Sequence, residues 1–149
     1  MATRVYDLPK FLEGAVSLDA YKRWLDRKAV AHVRRDRKRD NLEATRQAYM
    51  RAIHSAVIRS EGRDAYTGEP LDWSLIATYD NEKSKSGRRA YKASLALLPT
   101  ADHVGDGLGP ADFKICSWRT NSAKNDLSQD NFVALCRLVV AYSDQEALK

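Results

Sequence analysis

The chain has 149 residues, of which 44% are hydrophobic and 30% are charged. This composition argues against a disordered chain, a collagen-like repeat and a membrane-embedded protein, and a chain of this length can bury its own core. Two cysteines, Cys116 and Cys136, are too few for a disulfide scaffold or a cysteine-rich zinc knuckle. The first twelve residues lack the apolar stretch of a secretory signal, and no segment is apolar enough to cross a bilayer. We therefore expect a cytoplasmic protein with no membrane association.

The positive charge is concentrated in one segment. Residues 19–40 hold nine basic and four acidic side chains, an excess of five that equals the net charge of the whole chain, +5. A basic segment on an otherwise neutral body suits a polyanion such as nucleic acid, although a solvated helix end has the same composition. The cations predicted to contact nucleic acid are Arg34, Arg35, Arg37, Lys38 and Arg39.

Residues 1–62 are predicted to form a helical N-terminal extension with two helices. Ser17 is a suitable N-cap for the first helix, which should run to about Arg35. Asp40 and Glu43 have the spacing of a capping box that would open the second helix, and Gly62 would end it. The expected apolar stripes are Tyr21, Trp24, Leu25 and His32 in the first helix and Leu42, Tyr49, Ile53 and Val57 in the second.

Residues 63–149 are predicted to contain two short strands and several helices. The expected elements, in order, are a short helix within 71–79, an exposed loop over 80–89, a strand ending at Asp102 and His103, a glycine loop over 105–110, a strand over 113–117, a short helix near 121–125, and a last helix that Ser128 caps. The last helix would place Phe132, Leu135, Cys136 and Val139 on one face.

Two segments resemble the HNH, or ββα-metal, endonuclease family. They are 98–104, which reads LPTADHV, and 121–128, which reads NSAKNDLS. The turn at 66–71, YTGEPL, also resembles the turn that precedes the motif in many members, where cysteine pairs often bind structural zinc. The resemblance covers residues 64–140 and implies an α+β protein with a ββα-metal core at 63–149, a helical N-terminal extension and a C-terminal helix. Because those cysteine pairs are absent, we expect no structural zinc.

The resemblance also implies a catalytic centre. Phosphodiester hydrolysis requires an activated water, and a histidine is a suitable general base near neutral pH. Hard oxygen ligands hold Mg²⁺, which needs only one or two protein carboxylates. By resemblance, His103 is the general base, and Asp102 and Asn121 hold Mg²⁺ or Mn²⁺; Asn125, one helical turn later, competes with Asn121 for this role.

Three more side chains complete the expected centre. A middle asparagine orients the base histidine in most members of the family, and its position falls here on Asp112. An aspartate can also accept a hydrogen bond from a ring N–H. Arg119 and Lys124 flank the predicted short helix and could hold the phosphate.

The sequence thus predicts a metal-dependent endonuclease that hydrolyses DNA phosphodiester bonds, with RNA as a second possible substrate. Since one such site cuts one strand, double-strand cleavage would need two successive nicks or a homodimer. The departure at Asp112 favours an alternative, a catalytically inactive nucleic-acid-binding module of the same fold. A third interpretation is a partner-binding protein whose basic segment is only solvated.

Overall fold

The part of the chain that the computed structural model describes, residues 6–78 and 93–149, combines five helices with a two-stranded antiparallel sheet. The helices are α1 (Leu18–Lys38), α2 (Arg46–Ser60), α3 (Leu75–Thr78), α4 (Trp118–Lys124) and α5 (Gln129–Ala147), and the strands are β1 (Pro99–His103) and β2 (Phe113–Ser117). The predicted α+β class is therefore confirmed. The predicted loop at 80–89 lies outside the described residues.

Helix α1 begins as predicted and ends later. The Ser17 hydroxyl accepts a hydrogen bond from the Ala20 amide at 3.1 Å, which caps the helix, and the last helical residue is Lys38 rather than Arg35. Its buried face continues to the end of the helix and comprises Tyr21, Trp24, Leu25, Ala29, His32, Val33 and Asp36. The inner stripe of α1 therefore carries an acid, Asp36, into the protein interior.

The predicted start of α2 is wrong, whereas its end is confirmed. Thr45 caps the helix by accepting from the Ala48 amide at 3.2 Å, so the helix starts after the proposed capping box. Asp40 instead has a φ of 70°, a left-handed conformation that an N-cap does not adopt. Leu42, which was expected on the buried stripe, is 82% exposed. At the other end, Gly62 follows the last turn with a φ of 86°.

The two strands form a hairpin that leads directly into α4. Their register pairs Pro99 with Ser117 and His103 with Phe113. Ser117 is also the N-cap of α4, since its hydroxyl accepts from the Thr120 amide at 2.9 Å. The helix predicted near 121–125 therefore starts earlier than expected. In this chain order the end of β1 leads into the glycine loop, and the end of β2 leads into α4.

The N-terminal helices pack on the hairpin. Helix α1 contacts β1, α2 contacts β2, and the two helices contact each other. One hydrophobic cluster includes Tyr21 of α1, Ile53 of α2 and Phe113 of β2, all of them buried. The Phe113 ring stacks on the His103 ring with 4.7 Å between centroids. Helices α1 and α2 and the hairpin thus share one hydrophobic core.

Helix α5 differs from the other long helices because none of its residues is buried. Ser128 caps it by accepting from the Asn131 amide at 3.1 Å, as predicted. Its apolar side chains are largely exposed, with Leu138 at 70%. None of the described helices is both long enough and apolar enough to cross a membrane.

Candidate functional site

A polar cleft of about 370 Å³ lies where the ends of α1, β1 and α4 meet the glycine loop. Its lining residues are Arg35, Arg39, Asp102, His103, Gly105, Asp106, Gly107, Lys124, Asn125 and Asp126. Three of these carry a permanent positive charge and three are carboxylic acids, so cations and acids face the same space. Four residues of the predicted centre lie in this cleft: Asp102, His103, Lys124 and Asn125.

Both ring nitrogens of His103 are engaged. Nδ1 lies 2.5 Å from Oδ2 of Asp36, and Nε2 lies 2.9 Å from the carbonyl oxygen of Pro110. A carboxylate and a carbonyl only accept hydrogen bonds, so each of these contacts is a hydrogen bond when the ring nitrogen donates. His103 therefore has no nitrogen free to accept a proton from water here.

Asp36 is the buried partner of His103. Its Oδ2 also accepts a hydrogen bond from the Tyr49 hydroxyl at 2.6 Å. Burial alone would raise the pKa of Asp36, but the hydrogen bonds from Tyr49 and His103 and the nearby positive charge outweigh burial, so the pKa is lowered. The other oxygen, Oδ1, is buried without a hydrogen-bond partner among the described residues. The ionised acid thus lies directly behind the His103 ring.

The glycine loop closes against the same acid. Gly107 has a φ of 86°, and a Cβ atom at this position would lie 2.9 Å from Oδ1 of Asp36. The Asn41 side-chain amide donates to the Gly107 carbonyl at 2.8 Å. Only glycine combines this backbone conformation with this close approach.

Asp102, the predicted metal ligand, is held by two donors. Its Oδ2 lies 3.0 Å from Nζ of Lys124 and accepts a hydrogen bond from the Tyr66 hydroxyl. The side chains of Lys124 and Asp102 are only 8% and 11% exposed. Burial, and after it the hydrogen bond to Asp102, raises the pKa of Tyr66, so the phenol stays protonated. The charge of Asp102 is therefore neutralised by Lys124.

Tyr66 is placed by a second buried acid, Asp64. Its Oδ1 accepts from the backbone amides of Tyr66 and Thr67 at 2.7 and 3.1 Å, and its Oδ2 accepts from the Ser117 amide at 2.9 Å. Burial would raise the pKa of Asp64, but these hydrogen bonds outweigh it and the pKa is lowered. Asp64 thus joins the turn at 64–68 to the start of α4.

Only two of the three predicted metal ligands line the polar cleft. Over residues 6–78 and 93–149, no group of three or more His, Cys, Asp or Glu side chains is placed to hold a metal ion. Asp102 and Asn125 line the polar cleft, whereas Asn121 is not among its lining residues. An ion at Oδ2 of Asp102 would also have to replace the Lys124 ammonium.

Two other predicted residues lie away from the polar cleft. The Asp112 side chain is 61% exposed and lies 4.0 Å from Arg59, while its backbone carbonyl accepts from the Val104 amide. Arg119 pairs with Glu69 and lines a separate groove beside α5. In this arrangement the His103 ring is held by Asp36 and not by Asp112.

The predicted basic segment divides between two surfaces. Arg35 and Arg39 are one helical turn apart and line the polar cleft. Arg34 and Arg37 line a different surface groove, and Lys38 is exposed near the end of α1. Only two of the five cations therefore face the same space as His103.

Sequence reasoning missed Asp36, Tyr49 and Tyr66. A signal for Asp36 was present, since it continues the inner stripe of α1 three residues after Val33. An acid on the buried face of a helix needs a partner, which makes such a position a candidate. No comparable local signal marks Tyr66, which lies 36 residues before Asp102.

Comparison with known proteins identifies no relative of this chain. No protein-family model matches it, and neither a curated protein nor a solved structure gives a significant match. Function is therefore inferred from the Asp102–His103 motif and from the geometry of the polar cleft.

Proposed function

We propose that the chain is an endonuclease of the HNH, or ββα-metal, kind that hydrolyses phosphodiester bonds in DNA. One observation carries the proposal: Asp102 and His103, at the end of β1, share the polar cleft with the end of α4 and with two arginines, Arg35 in the last turn of α1 and Arg39 at its C-cap. The order of strand, glycine loop, strand and helix supports it, because the motif has this order in the family it resembles.

In the proposed reaction, His103 takes a proton from the attacking water. Nε2 must first be released from its contact with the Pro110 carbonyl, which lies beside the glycine loop. Arg35 and Arg39 are placed to pair with phosphate oxygens, since guanidinium groups match them in charge and geometry. Charge that develops on the phosphate is then stabilised by groups already in the cleft.

From the same resemblance we also propose Mg²⁺ or Mn²⁺ as a cofactor. When bound in such a centre, a divalent ion neutralises charge on the phosphate and on the departing oxygen. The roles above belong to side chains alone, because one predicted ligand, Asn121, does not line the cleft and another, Asp102, is paired with Lys124. The assay below decides the metal requirement.

A specific observation favours a second candidate, a nucleic-acid-binding module without catalysis. Both nitrogens of His103 are engaged, and the charge of Asp102 is neutralised by Lys124. In this case the two arginines would still hold the phosphate backbone, and binding would weaken steeply with salt.

The deciding experiment is a supercoiled-plasmid assay with Mg²⁺, Mn²⁺ or EDTA, run with the wild type, His103→Ala and His54→Ala. His54 is a matched control because its ring bonds to Tyr21, on another part of the fold. For a nuclease, we expect nicked plasmid from the wild type and His54→Ala and none from His103→Ala. Plasmid retarded at low salt without product would establish the binding module. Equal cleavage by His103→Ala would refute the assigned base.

The same assay also tests whether the enzyme accepts RNA as well as DNA and whether it acts as a dimer. A single-stranded RNA run in parallel separates a DNA-specific enzyme from one that accepts either sugar. Linear product formed without a nicked intermediate would indicate two sites acting together, as in a two-fold dimer. Sedimentation of the free protein would then be expected to show that dimer.

A further inference from the structure

We propose that Asp36, on α1, is the residue that positions His103 for the reaction. A catalytic role for Asp36 rests on the proposed function, whereas the contact between Asp36 and His103 is part of the fold whatever the function. In the family that the sequence resembles, this role falls to a residue near position 112. The structure assigns it to a residue that precedes the histidine by 67 positions.

The contact is buried and short. The His103 and Asp36 side chains are 1% and 0% exposed, and Nδ1 lies 2.5 Å from Oδ2. The Tyr49 hydroxyl donates to the same oxygen from α2. Oδ2 is therefore held between two donors from different elements, and its position fixes the direction of the ring.

The carboxylate also determines which ring nitrogen can act. An ionised carboxylate only accepts hydrogen bonds, so Nδ1 must keep its proton. When the ring loses a proton, the free electron pair must then be on Nε2, the nitrogen that faces Pro110 and the glycine loop. Without Asp36, a neutral ring could carry its proton on either nitrogen, and only one of the two forms would present a base on that side.

Asp112 is the matched comparison. Its carboxylate is 61% exposed and lies 4.0 Å from Arg59, and its described contacts do not include the His103 ring. Asp112 precedes β2, and its backbone carbonyl accepts from the Val104 amide.

The experiment compares Asp36→Asn with Asp112→Asn in the full chain. Circular dichroism and a thermal melt check folding, and plasmid nicking under multiple-turnover conditions gives kcat and KM separately. We expect Asp36→Asn to lower kcat by about 10⁴-fold, the loss found when the buried aspartate behind a catalytic histidine becomes asparagine and the ring takes the wrong tautomer, with KM unchanged. Asp112→Asn should leave both constants unchanged. A wild-type kcat in Asp36→Asn would overturn the proposal, as would an equal loss in Asp112→Asn.

A second readout does not need activity. Nitrogen-15 NMR of the His103 ring reports which nitrogen carries the proton. We expect a protonated Nδ1 in the wild type and in Asp112→Asn, and loss of that signal in Asp36→Asn. A signal that persists in Asp36→Asn would refute positioning by Asp36, even if the wild type proves to have no nuclease activity. Failure of the proposed function and failure of this inference are thus separated.

A third variant covers the case in which Asp36→Asn does not fold. Tyr49→Phe removes one of the two hydrogen bonds to Asp36 and keeps the aromatic ring that packs on His103 and Phe113. We expect a smaller loss of kcat than in Asp36→Asn, again with KM unchanged. An unchanged kcat together with an unchanged His103 ring spectrum would count against Asp36.

Discussion

Two glycines of the loop between the strands have similar backbones and different surroundings. Gly105 and Gly107 have φ values of 97° and 86°, a region that side chains with a Cβ rarely adopt. A Cβ at Gly105 would meet nothing within 4 Å, whereas a Cβ at Gly107 would lie 2.9 Å from Oδ1 of Asp36. Alanine substitutions at the two positions therefore distinguish the cost of backbone strain, which both share, from the cost of contact with the Asp36 carboxylate, which only Gly107 has.

We expect Gly105→Ala to lower the free energy of unfolding by about 1–2 kcal/mol, the cost of a left-handed non-glycine residue. Gly107→Ala carries the same strain and also displaces the Asp36 carboxylate, so its loss should be larger and the His103 ring spectrum should change. Urea unfolding and the ring NMR signal measure the two effects. Equal losses, with an unchanged ring spectrum in both variants, would show that the loop does not constrain Asp36.

At the scale of elements, α1 presents three different faces. Its inner stripe ends in Asp36, its cleft-facing side carries Arg35 and is followed by the C-cap Arg39, and a third side carries Arg34 and Arg37. A count of charges along the sequence does not distinguish these arginines. Their spacing on the helix places them on different sides, so one phosphate backbone need not contact both groups.

Arg39→Gln and Arg34→Gln test which face of α1 binds nucleic acid. If the polar cleft is the binding surface, Arg39→Gln should weaken DNA binding and reduce the slope of log affinity against log salt by about one. Arg34→Gln should change both quantities less. Fluorescence anisotropy at several salt concentrations measures them. A larger effect from Arg34→Gln would move the binding surface to the other side of α1.

Local sequence signals predicted most of the helices and strands, but they misplaced the start of α2 because two candidate N-caps lie close together. Ser17 and Ser128 were found as caps because a cap depends on residues only three positions away. The Asp40–Glu43 pair has the spacing of a cap as well, but the chain uses Asp40 for a left-handed turn after α1. The true cap, Thr45, lies a few residues later.

The site was predictable only as far as it is local. The Asp102–His103 motif marked the end of β1, and Lys124 and Asn125 lie in the same cleft. The residues that hold them could not be inferred from spacing, because tertiary packing brings Asp36 to His103. Linear spacing also led to Asp112, although its side chain is exposed and lies near Arg59 rather than in the polar cleft.

At the scale of the whole molecule, His32 joins α1 to the sheet and makes the fold sensitive to acid. Its Nε2–H donates to the Ala101 carbonyl at 2.9 Å, and its Nδ1 accepts from Arg35 at 2.9 Å. This is the neutral form of the ring. Burial, and after it the charge of Arg35, lowers the pKa of His32 from 6.5 to about 4. The folded state therefore resists protonation that the unfolded chain accepts.

Stability should accordingly fall with acid through His32. The contribution is fully present above pH 6.5 and is lost progressively as the pH falls toward 4, by at most about 3 kcal/mol. His32→Gln keeps a donor and an acceptor but does not titrate, so its free energy of unfolding should depend less on pH over this range. Urea unfolding of both proteins at pH 6.5, 5 and 4 gives the difference. Parallel pH curves would exclude His32 as an acid-sensitive group.

The distance between Asp36 and His103 along the chain limits how the motif could be exchanged in evolution. A recombination event that moved only residues 99–124 into another protein would transfer the Asp102–His103 pair and Lys124. It would leave behind the acid on α1 and the tyrosine on α2 that fix the imidazole. The recipient would inherit the motif with an unoriented histidine, so the hairpin and its two helices must be inherited together to keep that ring in place.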